Sequence, residues 1–221
     1  MSTTLYTISV PPKSGQPPQG VIVLLHGWGS NCQDIAALAN YMDLPDYQLM
    51  FPDAPFPHPY NPVGKMWYAL PQDYSFLGKP EFGDRADLST SRQRLIEFLT
   101  HLTQTSNVPL SRTILGGFSQ GGAMTLDVGV RLPLAGLMIL SGYLHAPLQP
   151  PQTPLPPTLM IHGRQDQVVP LPAAHQARAR LQALGVTPQY QEYDMGHEIQ
   201  PMVLNQMQSF VKELLPSLNK P

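Results

Sequence analysis

Ser119 stands inside the run Gly116-Gly117-Phe118-Ser119-Gln120-Gly121-Gly122, with an apolar strand-like segment before it and a helix-like segment, 123–130, after it. A Gly-x-Ser-x-Gly step between strand and helix makes a turn so tight that a Cβ on either flanking residue would strike its neighbours, and the serine is held exposed at the tip. The start of the helix adds free amides and a dipole that favour developing negative charge. Taken alone, the pentapeptide also fits a glycine-rich turn whose serine only caps a helix. The flanking strand and helix favour the chemical reading.

A serine hydroxyl is a weak nucleophile near neutral pH, so it needs a histidine to take its proton and a carboxylate to hold that imidazole in the right tautomer. With an elbow of this type the acid and then the histidine follow the serine, each on a loop after a strand. Asp166 lies in Gly163-Arg164-Gln165-Asp166, just past the apolar segment 159–162, and His197 lies in Asp194-Met195-Gly196-His197, just past 189–193. Both meet the order. Asp166 read in isolation is equally a turn aspartate, and a lone histidine is more often structural. His26 and His162 precede glycines at earlier strand ends, His175 falls inside a helical pattern and His145 precedes the acid, so these are expected to be structural or pocket-lining. Asp194 and Glu198 flank His197 too closely to orient it, and Glu198 could instead cap the last helix.

Acyl transfer also needs donors aimed at the oxyanion. One is expected from the amide of Gln120, after the serine, and a second from the turn His26-Gly27-Trp28-Gly29, where the Trp28 amide is the candidate.

The elements that must position these groups follow from hydrophobic period. Short apolar segments at 5–10, 21–25, 48–51, 113–116, 137–140, 159–162 and 189–193 alternate with longer helical patterns. That alternation predicts an α/β fold with a mostly parallel sheet and helices on both faces. Asp87 is placed to cap a helix with Leu88, Leu95, Phe98 and Leu102 on one face; Leu171, Ala174, Leu181 and Leu184 mark another. A last helix, 199–215, carries Met202, Met207 and Phe210. These stripes read as core. The 26 prolines gather in 11–18, 52–62 and 147–157, as stiff connections within one domain covering residues 1–221.

Composition narrows the function classes. A net charge of -2 without a long basic run offers nothing to hold a nucleic-acid backbone. The first ten residues lack the basic and apolar blocks of an export signal, and no apolar run approaches bilayer length. A cytoplasmic protein without stable membrane insertion is expected. The single cysteine, Cys32, excludes an internal disulfide and reads as an idle buried thiol. The seven histidines do not cluster with cysteines or carboxylates, so no metal and no cofactor is expected.

Leu-Leu-His-Gly-Trp-Gly, Phe-Pro-Asp-Ala-Pro at 51–55, Gly-Gly-Phe-Ser-Gln-Gly-Gly, Leu-Ser-Gly-Tyr from Leu140, His-Gly-Arg-Gln-Asp-Gln-Val-Val-Pro and Met-Gly-His-Glu-Ile occur in this order along nearly the whole chain. Together they resemble the phospholipase/carboxylesterase family of α/β-hydrolases, which includes the acyl-protein thioesterases. The resemblance implies an α/β-hydrolase domain, a triad of Ser119, Asp166 and His197, and a pocket contact at Val168. Trp28 stands where the eukaryotic thioesterases of that family carry leucine, which changes the shape of the wall beside the donor amide. The stretch 56–82, with Trp67, Tyr68, Tyr74 and Phe76, departs from the thioesterase branch. It reads either as a lid or acyl-pocket loop, with Trp67 and Tyr68 touching substrate, or as a long loop packed by its aromatics. The expected activity is hydrolysis of a small carboxylic ester through an acyl-enzyme. Thioesterase or lysophospholipase action and, more remotely, ligand binding without turnover are the alternatives. Oligomeric state is left open.

Overall fold

A computed structural model describes residues 5–71, 80–150 and 154–217, with Pro80 and Glu81 described in backbone only. The strands β1 (Thr7–Val10), β2 (Val21–Leu25), β3 (Gln48–Pro52), β6 (Thr113–Phe118), β7 (Gly136–Leu140), β8 (Thr158–Gly163) and β9 (Gln189–Tyr193) form one seven-stranded sheet in the order β1-β3-β2-β6-β7-β8-β9. Only β1 runs antiparallel, against β3; each remaining neighbour is parallel.

Among the described residues five α-helices accompany it: α1 (Cys32–Ala36), α2 (Ala86–Thr105), α3 (Gln120–Gly129), α4 (Leu171–Ala183) and α5 (Pro201–Leu214). The central strands are buried throughout, as expected where helices cover both faces of a parallel sheet. The two-residue period of the strands then divides the core. Val21, Val23, Leu25, Leu115, Leu137, Ile139 and Met160 pack with Leu88, Leu95 and Leu99 of α2, Met124 of α3 and Leu181 of α4. Ile22, Leu24, Ile114, Met138, Leu140, Leu159 and Ile161 face the other way, onto Ile35 of α1 and Met207, Phe210 and Val211 of α5. Each such fully buried side chain contributes about 1.5–3 kcal/mol relative to exposure.

Several expectations need correction. Asp87 does not cap α2: the N-cap is Arg85, and the Asp87 carboxylate lies in the first turn, accepting from the Ala69 and Leu88 amides and from the Arg85 guanidinium. Met202 is 41% exposed, so the buried face of α5 runs through Val203 and Leu204 instead. Glu198 is not the cap of α5, since Gln200 occupies that position and Pro201 supplies the preset φ of a first helical residue. Within 56–82, β4 (Phe56–Pro57) pairs antiparallel with β5 (Lys65–Met66), a ribbon too short to leave a period in the sequence.

Candidate active site

The candidate site forms at the carboxyl ends of β2, β6, β7, β8 and β9, where loops lead from the sheet into helices or onward turns. Ser119 occupies the step between β6 and α3 with φ 55° and ψ -117°, a left-handed conformation for a residue with a side chain. Such backbone costs about 1–3 kcal/mol and persists only where surrounding packing enforces it. The enforcement is visible in the flanking glycines. A Cβ on Gly117 would lie 2.3 Å from the Gly121 carbonyl, and one on Gly121 would lie 2.3 Å from the Leu25 carbonyl oxygen. The Ser119 amide donates to Leu140 O of β7 at 2.8 Å, which ties the turn to the next strand.

The loops after β8 and β9 are laced together by Arg164 N to Tyr193 O at 2.8 Å and Gln165 N to Met195 O at 3.1 Å. They bring Asp166 Oδ2 to 2.7 Å from His197 Nδ1. The other carboxylate oxygen accepts from the Val168 amide at 2.9 Å and the Val169 amide at 2.8 Å. Burial pushes the Asp166 carboxyl up, but the His197 hydrogen bond and the two amides outweigh it and hold the group below its ordinary range. Phe118 stacks against the His197 ring, centroids 4.6 Å apart, and so limits its swing. Ser119 and His197 both line one cavity of about 820 Å³ but share no direct hydrogen bond, a contact that often tightens only with substrate in place.

The same cavity is lined by Trp28, Ile35, Leu38, Met66, Leu70, Phe118, Tyr143, Val168 and Ile199, an apolar wall around the serine. Gly27 lies against Ser119, since a Cβ there would stand 3.3 Å from Ser119 Cβ. Neither the Trp28 nor the Gln120 amide donates a hydrogen bond among the described residues, and Gln120 N–H is the first of α3. The Trp28 ring is 37% exposed and meets His58 edge-on at 4.0 Å.

Trp67 and Tyr68 are placed differently from the substrate-contact expectation. Both are fully buried and absent from the cavity wall. The Trp67 indole donates to His26 O at 3.0 Å, its carbonyl accepts from Ser91 Oγ, and the Tyr68 hydroxyl meets that of Tyr143 at 2.9 Å. These rings anchor the loop from beneath, while Pro59, Tyr60, Met66, Ala69, Leu70 and Pro71 of the same stretch line the cavity. Val168 does line it. Tyr74 and Phe76 lie outside the described residues.

The competing histidines have other partners. His26 Nδ1 donates to Gly27 O at 2.8 Å while Nε2 accepts from the Ala54 amide at 3.0 Å, and burial pulls its pKa down. His162 Nε2 donates to Val169 O at 2.8 Å and lies 3.5 Å from Asp166 Oδ2, and burial lowers its pKa. His175 pairs with Glu192 at the surface. His145 belongs to a buried network around Asp127. Asp194 pairs with Arg164. Burial pushes the Cys32 thiol up to about 12, which leaves it no thiolate character. Among the described residues no group of three or more His, Cys, Asp or Glu could hold a metal ion, and no helix is long and apolar enough to cross a membrane.

Phe118 and Tyr143 were missed as site residues. The signal for Phe118 was its place before Ser119; for Tyr143 it was the Leu-Ser-Gly-Tyr block at the end of β7.

Comparison with known proteins agrees with this architecture. The family model described as Phospholipase/Carboxylesterase matches residues 8–215. Acyl-protein thioesterase 1 of Neurospora crassa is 32% identical over 209 residues, covering 87% of this chain and 83% of the relative. Acyl-protein thioesterase 1 of Gibberella zeae is 30% identical over 216 residues, with 88% and 87% covered. The crystal structure of esterase PE8 superposes with a TM-score of 0.85 at 32% identity, covering 96% of this chain and all of that one, 100%.

Proposed function

The chain belongs to the phospholipase/carboxylesterase family, a family of hydrolases with the α/β-hydrolase fold, and we propose that it cleaves carboxylic esters with Ser119 as nucleophile, His197 as general base and Asp166 as the group that orients the base. The observation that carries the proposal is the 2.7 Å bond from His197 Nδ1–H to a doubly amide-bound Asp166 carboxylate. With that proton fixed on Nδ1, Nε2 is left as the acceptor, on an imidazole that opens into the same cavity as Ser119. His197 takes the Ser119 proton as Oγ attacks the carbonyl carbon, then returns it to the departing alkoxide. The Trp28 and Gln120 amides stabilise the tetrahedral oxyanion. His197 next draws a proton from water, which attacks the acyl carbon; the acyl–Oγ bond then breaks, His197 returns the proton to Ser119 Oγ, and the acid leaves.

Thioester cleavage is the second reading, favoured by the thioesterase names of the relatives and by the apolar cavity wall. The same residues serve it, since only the leaving group changes. Replacing Ser119 with Ala is expected to leave the fold intact while abolishing both turnover and labelling by a fluorophosphonate. Undiminished hydrolysis by that variant refutes the assignment. Rates on p-nitrophenyl esters beside a palmitoyl thioester separate the two readings.

A further inference from the structure

A chain of buried hydrogen bonds, apart from the Asp166–His197 pair, runs from the far side of α3 to the wall of the cavity. Asp127 of α3 is gripped by Arg92 of α2 at 2.8 Å and by Arg131 at 3.2 Å. Its Oδ2 accepts from His145 Nε2 at 3.0 Å; His145 Nδ1 lies 3.2 Å from the Tyr68 hydroxyl, which lies 2.9 Å from that of Tyr143. His145, Tyr68 and Tyr143 are each at most 2% exposed. Of the chain's members only Tyr143 lines the cavity.

The chemistry of the donors orders the protons. Burial alone would raise the Asp127 carboxyl, but His145 and Arg92 beside it hold it well below the usual carboxylate range, so it only accepts. His145 Nε2 therefore carries a hydrogen, and its Nδ1 meets the Tyr68 hydroxyl. Burial keeps the Tyr68 phenol protonated, and its hydroxyl shares a hydrogen bond with that of Tyr143. The Tyr143 side chain is thus tied to Tyr68 at its hydroxyl while the residue lines the cavity. The backbone reinforces the placement: Ser141 turns at φ 48°, and a Cβ on Gly142 would meet Ile139 at 2.6 Å, so the step from β7 to Tyr143 has one path. Simple packing does not call for such a network, since buried ion pairs give no more stability than apolar residues of the same volume.

We propose that Tyr143 is a specificity-determining residue, a pinned wall that limits the acyl group fitting beside Ser119, and that Tyr68, His145 and Asp127 are positioning residues that hold it. The proposal rests on the reading of Ser119 as nucleophile. Releasing the ring should open the wall to longer chains, through KM more than kcat. The test measures kcat and KM on p-nitrophenyl butyrate and octanoate for wild type, Tyr68→Phe, Tyr143→Phe and Tyr143→Ala. The ratio of kcat/KM for octanoate to butyrate does not depend on the fraction of protein folded. It is expected to rise about tenfold in Tyr143→Ala, the scale on which a pocket discriminates a methylene or two, and by a smaller factor in the same direction in both Phe variants. Equal loss on both esters in Tyr143→Ala, with active wild type, overturns this inference alone and marks the network as structural. Failure of the wild type to turn over either ester or to take up a fluorophosphonate overturns the nucleophile reading and this inference with it.

Discussion

Changing Asp166 to Asn is the sharpest probe of the proposed mechanism, because the surrounding donors dictate how the amide must sit. The Val168 and Val169 amides, at 2.9 and 2.8 Å, both point at Oδ1 and demand an oxygen there. The new NH2 group must then take the place of Oδ2, 2.7 Å from His197 Nδ1. Two N–H donors cannot face each other at that distance, so His197 has to accept at Nδ1 and move its proton to Nε2. That is the nitrogen required to receive the Ser119 proton. The equivalent change in a serine protease triad lowers kcat about 10⁴-fold, or roughly 5 kcal/mol of transition-state stabilisation. The same loss is expected here, with KM little altered and the fold retained. Steady-state hydrolysis of p-nitrophenyl butyrate measures it, and ¹⁵N NMR of the imidazole reports the tautomer directly. A variant keeping more than about a tenth of the wild-type kcat would refute the reasoning, since one decade is only ~1.4 kcal/mol.

Gly121→Ala would put a Cβ 2.3 Å from Leu25 O and 2.7 Å from His26 O, both backbone atoms, and so force the start of α3 away from β2. A displacement of about 1 Å at the nucleophile is expected to lower kcat about 100-fold, read on the same ester; unchanged kcat would show that the elbow tolerates a side chain there. Stability should decline in acid in two stages. The pKa values of His26 and His162 are lowered in the fold, so the unfolded chain binds more protons as pH falls through about 6.5 and the native state loses ground. Asp127, also lowered, contributes stability that is present above about pH 4 and is withdrawn as pH falls further. Urea midpoints from pH 8 to 3 measure both stages, and a flat profile contradicts them. Asp127→Asn should cost about 3–5 kcal/mol at pH 7, by stranding the buried groups around it, and should shrink the second stage.

The sheet and the three proposed catalytic side chains were legible in the sequence because each leaves a local trace. The buried strands are short apolar runs bounded by turn residues, the elbow needs its glycines, and Asp166 and His197 each follow a strand by a few residues. Trp67 and Tyr68 left no such trace. Nothing local distinguishes an aromatic that touches substrate from one that anchors a loop; the deciding partners are Ser91, Gln120 and Tyr143, distant in the chain. Met202 misled for a related reason. It fits a helical stripe, yet α5 is rotated so that Val203 and Leu204 face the sheet. Asp127 and His145 were beyond reach because a buried polar network has no period, only pairings that exist once the fold has formed.

Gln120 shows how the two kinds of information join. The elbow pattern leaves its position free, since the proposed oxyanion donor is a backbone amide that any residue except proline supplies. The side chain explains the glutamine. Its carbonyl accepts from Trp67 N at 2.9 Å and its amide donates to Tyr68 O at 2.8 Å, so one carboxamide satisfies a donor and an acceptor on neighbouring residues of a buried loop. Glutamate would lose the donor, and leucine would leave both loop groups unsatisfied at about 1–3 kcal/mol each. The residue after Ser119 thereby fastens the Trp67–Tyr68 segment to the start of α3, and Tyr68 in turn meets Tyr143. The turn that presents Ser119 and the wall that faces it are therefore positioned by the same side chain.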